Sequence, residues 1–512
     1  MLSRVNSCSL IGIDGYVVEV ETDISNGIPA FEIVGLGDAA VRESKERVKA
    51  AIKNTGFEFP TRKITINLAP ANQKKEGSAF DLSIAVGLLA ATGQVNNDAI
   101  SKYMFIGELS LGGDLRAVNG VLPMAVCAME SGIENLVLPL ENADEAAIVK
   151  GLNVLPANSL AEVISHLNGE KPIEKYSVDI DSIFNGNLEY KLDFSDVKGQ
   201  QNVKRALEVA AAGAHNCLMI GSPGSGKTML AKRLPTILPA MTFEEALEVT
   251  KIHSVAGILP PKTSLVTTRP FRSPHHTISA IGLVGGGKHP KPGEISLAHY
   301  GVLFLDEVPE FSKDALEVLR QPLEDGSVTI SRVNASLTYP SKTMLICAAN
   351  PCKCGNFLDP ARQCNCSPSQ IRQYLGKISG PLLDRIDIHI EVTSVNYGEL
   401  ENGKNGEKSG VIRERVNRAR KLQLQRYKGL NIYSNSQLYP AVMEKFCKLD
   451  KESKALLKSA FEKLGLSARA YNRILKVART IADLEEEEQI RIHHVAEAIQ
   501  YRSLDSKIWT GQ

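Results

Sequence analysis

Residues 215 to 232 read His-Asn-Cys-Leu-Met-Ile-Gly-Ser-Pro-Gly-Ser-Gly-Lys-Thr-Met-Leu-Ala-Lys, and the fold turns on them. The apolar run HNCLMI stops at Gly221, Ser222, Pro223, Gly224, Ser225, Gly226, Lys227 and Thr228, which together fit G-x-x-x-x-G-K-[ST]. A helical pattern follows at once. Strand, glycine-rich loop and helix in that order predict a parallel sheet with crossover helices. The glycines of such a loop let successive backbone N–H groups turn toward phosphate oxygens at a helix N-terminus. Lys227 adds a point charge, and the Thr228 hydroxyl is a ligand for Mg²⁺. ATP and Mg²⁺ are the cofactors expected.

Downstream, GVLFLDE is an apolar strand ending in two acids. Asp306 is expected to hold Mg²⁺ with Thr228, and Glu307 to orient and deprotonate an attacking water. Asn350 ends a third apolar strand, TMLICAAN, which would bring its amide beside the γ-phosphate. Arg385, in GPLLDRIDI, is flanked by Asp384 and Asp387, which are expected to pin it; the alternative is a structural ion pair. Arg469 opens a helix on which Arg473, Lys476 and Arg479 recur at three- and four-residue spacing. An arginine offered to a neighbouring subunit's γ-phosphate would make hydrolysis depend on ring assembly.

The 512 residues carry 59 Lys and Arg against 58 Asp and Glu, a net of +1, which excludes a uniformly basic or acidic protein but not local patches. The start, MLSRVNSCSLIGIDGYVVEV, meets Asp14 and Glu19 before any continuous apolar run, so no signal peptide is read. No stretch approaches the ~20 apolar residues that span a bilayer, and a cytoplasmic protein without membrane partners is expected. Nine cysteines are too sparse for a disulfide scaffold.

Residues 1–167 alternate β-like runs (YVVEVETDI, ITINLAP, NLVLP) with helical patterns such as FDLSIAVGLLAATG, an α/β domain. Residues 168–190 are a polar linker, residues 191–400 the parallel-sheet core, and residues 411–512 show only helical periodicity. The expected class is therefore α/β with an all-α tail.

Cys352, Cys354, Cys364 and Cys366 place four sulfurs in the insertion 352–366. They suit a closed tetrahedral Zn²⁺ site, against unligated thiols or redox pairing. Cys8, Cys127, Cys217, Cys347 and Cys447 sit in apolar surroundings and read as buried small residues. His275 and His276 are adjacent on an extended segment, so their side chains should diverge. Their segment is expected to be a mobile loop near a pore, with Lys288 at its tip. The stretch 411–428 holds seven Lys or Arg against one acid, and Arg413 and Arg420 are candidate phosphate contacts, unless the run is only a solvated helix face.

GSPGSGKT, LAHYGVLFLDEVPEF, VTISRVNASLTYPSKTMLICAANP and SGPLLDRIDI together resemble the AAA+ ATPases of the magnesium-chelatase-like group. RPFRSPHHTISAIGLVGGG and NPCKCGNF resemble, more closely, the ComM/YifB family across essentially the whole chain. The resemblance implies Lys227 and Thr228 as Walker A, Asp306 and Glu307 as Walker B, Asn350 as sensor 1, Arg385 as a trans-acting finger and Arg469 as sensor 2. It also implies a helical lid, a homo-hexameric ring and branched or single-stranded DNA as partner, moved by a branch-migration helicase in recombination or natural transformation. The hairpin Val328 to Tyr339, with Arg332 near its tip, becomes a candidate pore element. Rival functions are a magnesium-chelatase motor subunit and a protein-remodelling chaperone.

KKEGSAFDLSIAVGLLAATG with FIGELSLGGDLRAVNGVLP resembles the S5-like domain of Lon-type proteases and of RadA. The nucleophile position falls on Ala79 or Ser78 and the lysine position near Leu122, so the dyad is absent and a binding scaffold is expected rather than a protease.

Overall fold

The computed structural model describes residues 1–96, 100–185, 190–287, 290–332, 335–357, 359, 362–395 and 406–505. The chain forms two compact units, one of Met1–Gly186 with Phe243–Thr267, the other of Asn187–Thr242 with Thr268–Gln512.

The first unit is built on a seven-stranded sheet. From edge to edge its strands are Ala30–Val34, Lys63–Ala69, Asp14–Ser25, Leu2–Ile11, Tyr103–Phe105, Asn135–Pro139 and Asn153–Ala157. Strands Leu2–Ile11, Asp14–Ser25 and Lys63–Ala69 pair antiparallel, and the rest pair parallel. Helix Asp81–Ala91 has no polar face, and all eleven of its residues are buried. Its one charge, Asp81, is held by Arg47 Nε at 2.6 Å, the Ser44 hydroxyl at 2.5 Å and the Leu109 N–H at 3.2 Å. Helix Phe243–Ala256 packs on helix Val121–Glu130 in this unit, where the Ser254 hydroxyl donates to Glu145. Residues 243–267, expected within the core spanning 191–400, belong to this first unit.

The second unit carries a five-stranded parallel sheet in the order Phe271–Arg272, Val302–Leu305, Met344–Ala349, Cys217–Ile220, Ile388–Glu391. Strand Cys217–Ile220 lies between two parallel neighbours, with Ile220 in register with both Ala349 and Glu391. The loop after Ile220 therefore leaves the sheet at its carboxyl edge, where ligands of open α/β sheets sit. Helices Ser409–Arg426 and Ala468–Leu484 share one hydrophobic cluster with this sheet, through Ile412, Val416, Ile474, Ala478 and Ile481. The helical tail, read as a separate domain from its periodicity, thus joins the sheet in one unit, because its apolar stripe is buried by the same core. Among the described residues no helix is long and apolar enough to cross a membrane. Cys8, Cys127, Cys217, Cys347 and Cys447 are all buried free thiols.

Candidate functional site

The loop after Ile220 turns through left-handed conformations at Gly224 and Gly226, with φ of 80° and 92°. Side chains rarely reach that region without cost, so glycine belongs there. Lys227 heads helix Lys227–Arg233 and is buried. Its Nζ donates to the carbonyls of Gly221 at 2.7 Å and Ser222 at 3.0 Å, and to Asn350 Oδ1 at 3.2 Å. Burial lowers the Lys227 ammonium from its usual range, and the charges of Asp306 and Glu307 oppose that shift.

The Thr228 hydroxyl donates to Asp306 Oδ2 at 2.6 Å. Hydroxyl and carboxylate thus meet in the sort of oxygen-rich pair that suits Mg²⁺. Glu307 has φ of 51° without being glycine, a conformation that costs energy and is held by its surroundings. Lys227, Thr228, Asp306, Glu307 and Asn350, chosen from three separate stretches of sequence, therefore converge on one sheet edge.

Two further residues meet this edge. Gln200 donates from Nε2 to Ser225 O at 2.7 Å and Thr393 O at 2.8 Å, while its buried Oε1 has no partner among the described residues. His276 Nδ1 lies 3.7 Å from Glu307 Oε2, and the rings of His275 and His276 are 4.1 Å apart between centroids. The two rings do not diverge, because the segment is a turn here rather than a strand. No pattern in the sequence distinguishes Gln200 from its neighbour Gln201, whereas the paired histidines were visible and assigned elsewhere.

The arginines differ from expectation in their partners. Asp384 and Asp387 do not pin Arg385: Asp384 binds Arg469 at 2.9 Å, and Asp387 binds Arg473 and His215. Arg385 pairs instead with Glu324 and donates to Pro381 O at 2.8 Å. Arg469 is largely exposed, its side chain 69% accessible.

The four insertion cysteines gather. Cys352 Sγ is 3.3 Å from Cys354 Sγ and 3.7 Å from Cys364 Sγ, and Cys354 Sγ is 3.6 Å from Cys364 Sγ. All four sulfurs, Cys366 included, lie within 4.8 Å of one another. A tetrahedral centre with Zn–S of about 2.3 Å needs sulfurs about 3.75 Å apart, so the donor set fits zinc. Backbone N–H groups of Asn356 and Asn365 lower the Cys354 thiol to about 6, whereas burial raises that of Cys352.

Three family models match in succession. Subunit ChlI of Mg-chelatase covers residues 20–142, magnesium chelatase subunit ChlI covers 193–400, and its C-terminal model covers 406–502. The chain is 44% identical to competence protein ComM of Haemophilus influenzae over 98% of both chains. It is 42% identical to the uncharacterized protein YifB of Escherichia coli, over 98% of this chain and 97% of that one. An archaeal Lon protease of Methanothermobacter thermautotrophicus is 26% identical over 32% of this chain and 27% of its own. The chain belongs to the ComM/YifB family of magnesium-chelatase-like AAA+ ATPases.

Within this family member, the candidate nucleic-acid contacts are placed as follows. Strands Ser327–Arg332 and Ala335–Pro340 form an antiparallel hairpin with Arg332 opposite Ala335 at its last pair. Lys288 lies outside the described residues. Helix Ser409–Arg426 spends its arginines internally. Arg420 donates to Tyr433 O at 2.8 Å and Ala211 O at 3.3 Å, and Arg413 sits 5.6 Å over the Tyr190 ring. Arg415 binds Glu208 and Glu407, and Arg426 binds Asp483. The expected open basic face is a set of tertiary ties, because carboxylates and carbonyls distant in sequence fold against it.

At the expected protease positions of the first unit, Ser78 donates to Glu108, and Ala79 and Leu122 are buried. The Lys75 amine donates to Pro70 O and to Gln73 O at 2.9 Å.

Proposed function

We propose that this chain is a ring-forming motor that couples ATP hydrolysis to movement along branched or single-stranded DNA. The observation that carries the reading is the convergence of Lys227, Thr228, Asp306, Glu307 and Asn350 at one carboxyl sheet edge. Full-length likeness to a competence protein supports DNA as what is moved.

ATP is the substrate, lying along residues 221–228. Lys227 exchanges its two carbonyl partners for phosphate oxygens, a charge-assisted bond made by an amine that is itself buried. Thr228 and Asp306 would hold Mg²⁺, which when bound would supply positive charge against the phosphates. Asn350 holds the attacking water's position, and Glu307 takes its proton as the water oxygen bonds to the γ-phosphorus and the bond to ADP breaks. Arg385 would leave Glu324 to reach a neighbouring subunit's γ-phosphate, so a homo-hexamer is part of the proposal, and Arg469 contributes from the helical tail. The four insertion cysteines hold a structural zinc ion. The first unit serves as a scaffold for assembly or binding rather than as a protease, since its Ser78 faces a carboxylate and not an amine.

The test is the ATPase rate with and without a four-way DNA junction, together with sizing of the assembly. A raised rate and a larger species are expected. Stimulation by an unfolded protein with none by any DNA moves the reading to a remodelling chaperone, and stimulation only by a porphyrin-metallating partner moves it to a chelatase motor.

A further inference from the structure

We propose that the four-cysteine cluster braces the phosphate loop, so that occupancy by a thiophilic divalent cation, zinc in chemistry, sets how tightly the loop binds nucleotide. This rests on reading residues 221–228 as the nucleotide site.

The cluster meets the loop through two routes. The first is contact. The chain turns at Gly355 with φ of 83°, and a Cβ placed there would stand 2.6 Å from Pro223 Cγ and closer still to its Cδ. The backbone of Gly355 therefore rests on the ring of the third loop residue. The second route is covalent. Cys352 follows Asn350 by two residues, and Asn350 Oδ1 accepts from Lys227 Nζ at 3.2 Å. The Gly355 N–H donates to Cys352 O at 3.0 Å, closing the turn that carries the first two sulfurs. Any change in the geometry of that turn reaches Pro223 on one side and Asn350 on the other.

The turn has little apolar packing to fix it. Cys352 is buried, but Cys354 is exposed and Cys364 and Cys366 are half-buried. Three of the sulfurs lie 3.3 to 3.7 Å apart and the fourth within 4.8 Å of them, so as thiolates they would repel one another. A divalent cation that prefers sulfur offsets that repulsion and fixes all four positions at once, whereas Mg²⁺ and Ca²⁺ prefer oxygen donors. Ligation would thereby convert a loose turn into a rigid one pressed on the phosphate loop.

The experiment uses the full-length protein purified under reducing conditions. Zinc content is measured, the metal is withdrawn with a high-affinity chelator and then restored, and a fluorescent ATP analogue is titrated at each stage. About one zinc per chain is expected, with the analogue's Kd rising about tenfold on withdrawal, within the usual range of coupling between distinct sites, and recovering on restoration. Gly355→Ala should keep its zinc yet bind the analogue more weakly, because the added methyl displaces Pro223. Cys364→Ser with Cys366→Ser should lose the metal and match the withdrawn protein. Should that double variant fail to fold, chelation of the unaltered protein still decides. Protein that neither carries nor takes up zinc overturns the site. Zinc withdrawal, or Gly355→Ala, without effect on the analogue's Kd overturns the brace. Lys227→Ala binding the analogue normally while holding zinc overturns instead the nucleotide-site reading beneath it.

Discussion

Two buried lysines, one in each unit, set the side chain proposed to bind phosphate beside one that ties backbone together. Burial lowers both ammonium groups from their usual range. Lys75 is sealed in, with the carbonyls of Pro70 and Gln73 as its hydrogen-bond partners. Lys227 also holds two carbonyls, but a side-chain amide, Asn350, completes its shell, and Asp306 and Glu307 act on it electrostatically. The two differ in the side-chain amide and the acids around Lys227, since the degree of burial is similar.

The sharpest way to break that contrast is Lys227→Ala, expected to cut the ATPase rate about a thousandfold, near 4 kcal/mol of transition-state stabilisation, in a chain that still folds. Retained turnover in a steady-state assay would place the chemistry elsewhere. Lys75→Ala should do the opposite, lowering unfolding free energy by about 3 kcal/mol in urea titration through a cavity and two orphaned carbonyls, while turnover per folded chain holds.

Acid extends the comparison to a third buried charge. Burial alone would raise the Asp387 carboxyl, but Arg473, His215 and Lys476 overcome it and hold it well below the usual carboxylate range. A carboxyl depressed in the folded state lends stability that is complete above its unfolded value of about 3.9 and is lost as pH falls further. Melting curves should therefore be flat for this group between pH 7 and 5 and fall below about pH 4, and Asp387→Asn should blunt the fall. The smallest effect expected is that of Arg420→Ala: about 1 kcal/mol of stability lost with DNA affinity unchanged, measured by melting and by filter binding. A large loss of DNA binding there would restore the helix as a nucleic-acid face.

Local patterns carried the sequence reading furthest. The loop from Gly221 to Thr228, the acids ending GVLFLDE and the hairpin from Val328 were legible because each is specified by neighbouring residues. The ionic partners were not. Asp384 and Asp387 sit beside Arg385 in the chain yet bind Arg469 and Arg473, because flanking residues on a turning backbone point apart while residues on a packed helix face them. Arg385 finds Glu324, far back along the chain, and the arginines of Ser409–Arg426 find acids on other elements for the same reason. The segment holding His275 and His276 turns where an extended run is expected, and that turn brings His276 to Glu307.

The segment Phe243–Thr267 has a practical consequence for anyone dissecting the molecule. The polypeptide passes from one unit to the other three times, near residue 186, near 242 and near 267, so no single cut yields the two halves intact. A fragment beginning at residue 190 would retain the glycine-rich loop but carry helix Phe243–Ala256 without helix Val121–Glu130, on which it packs. Such a fragment should aggregate, whereas one that also replaces residues 243–267 with a short glycine-serine bridge has the better prospect of standing alone.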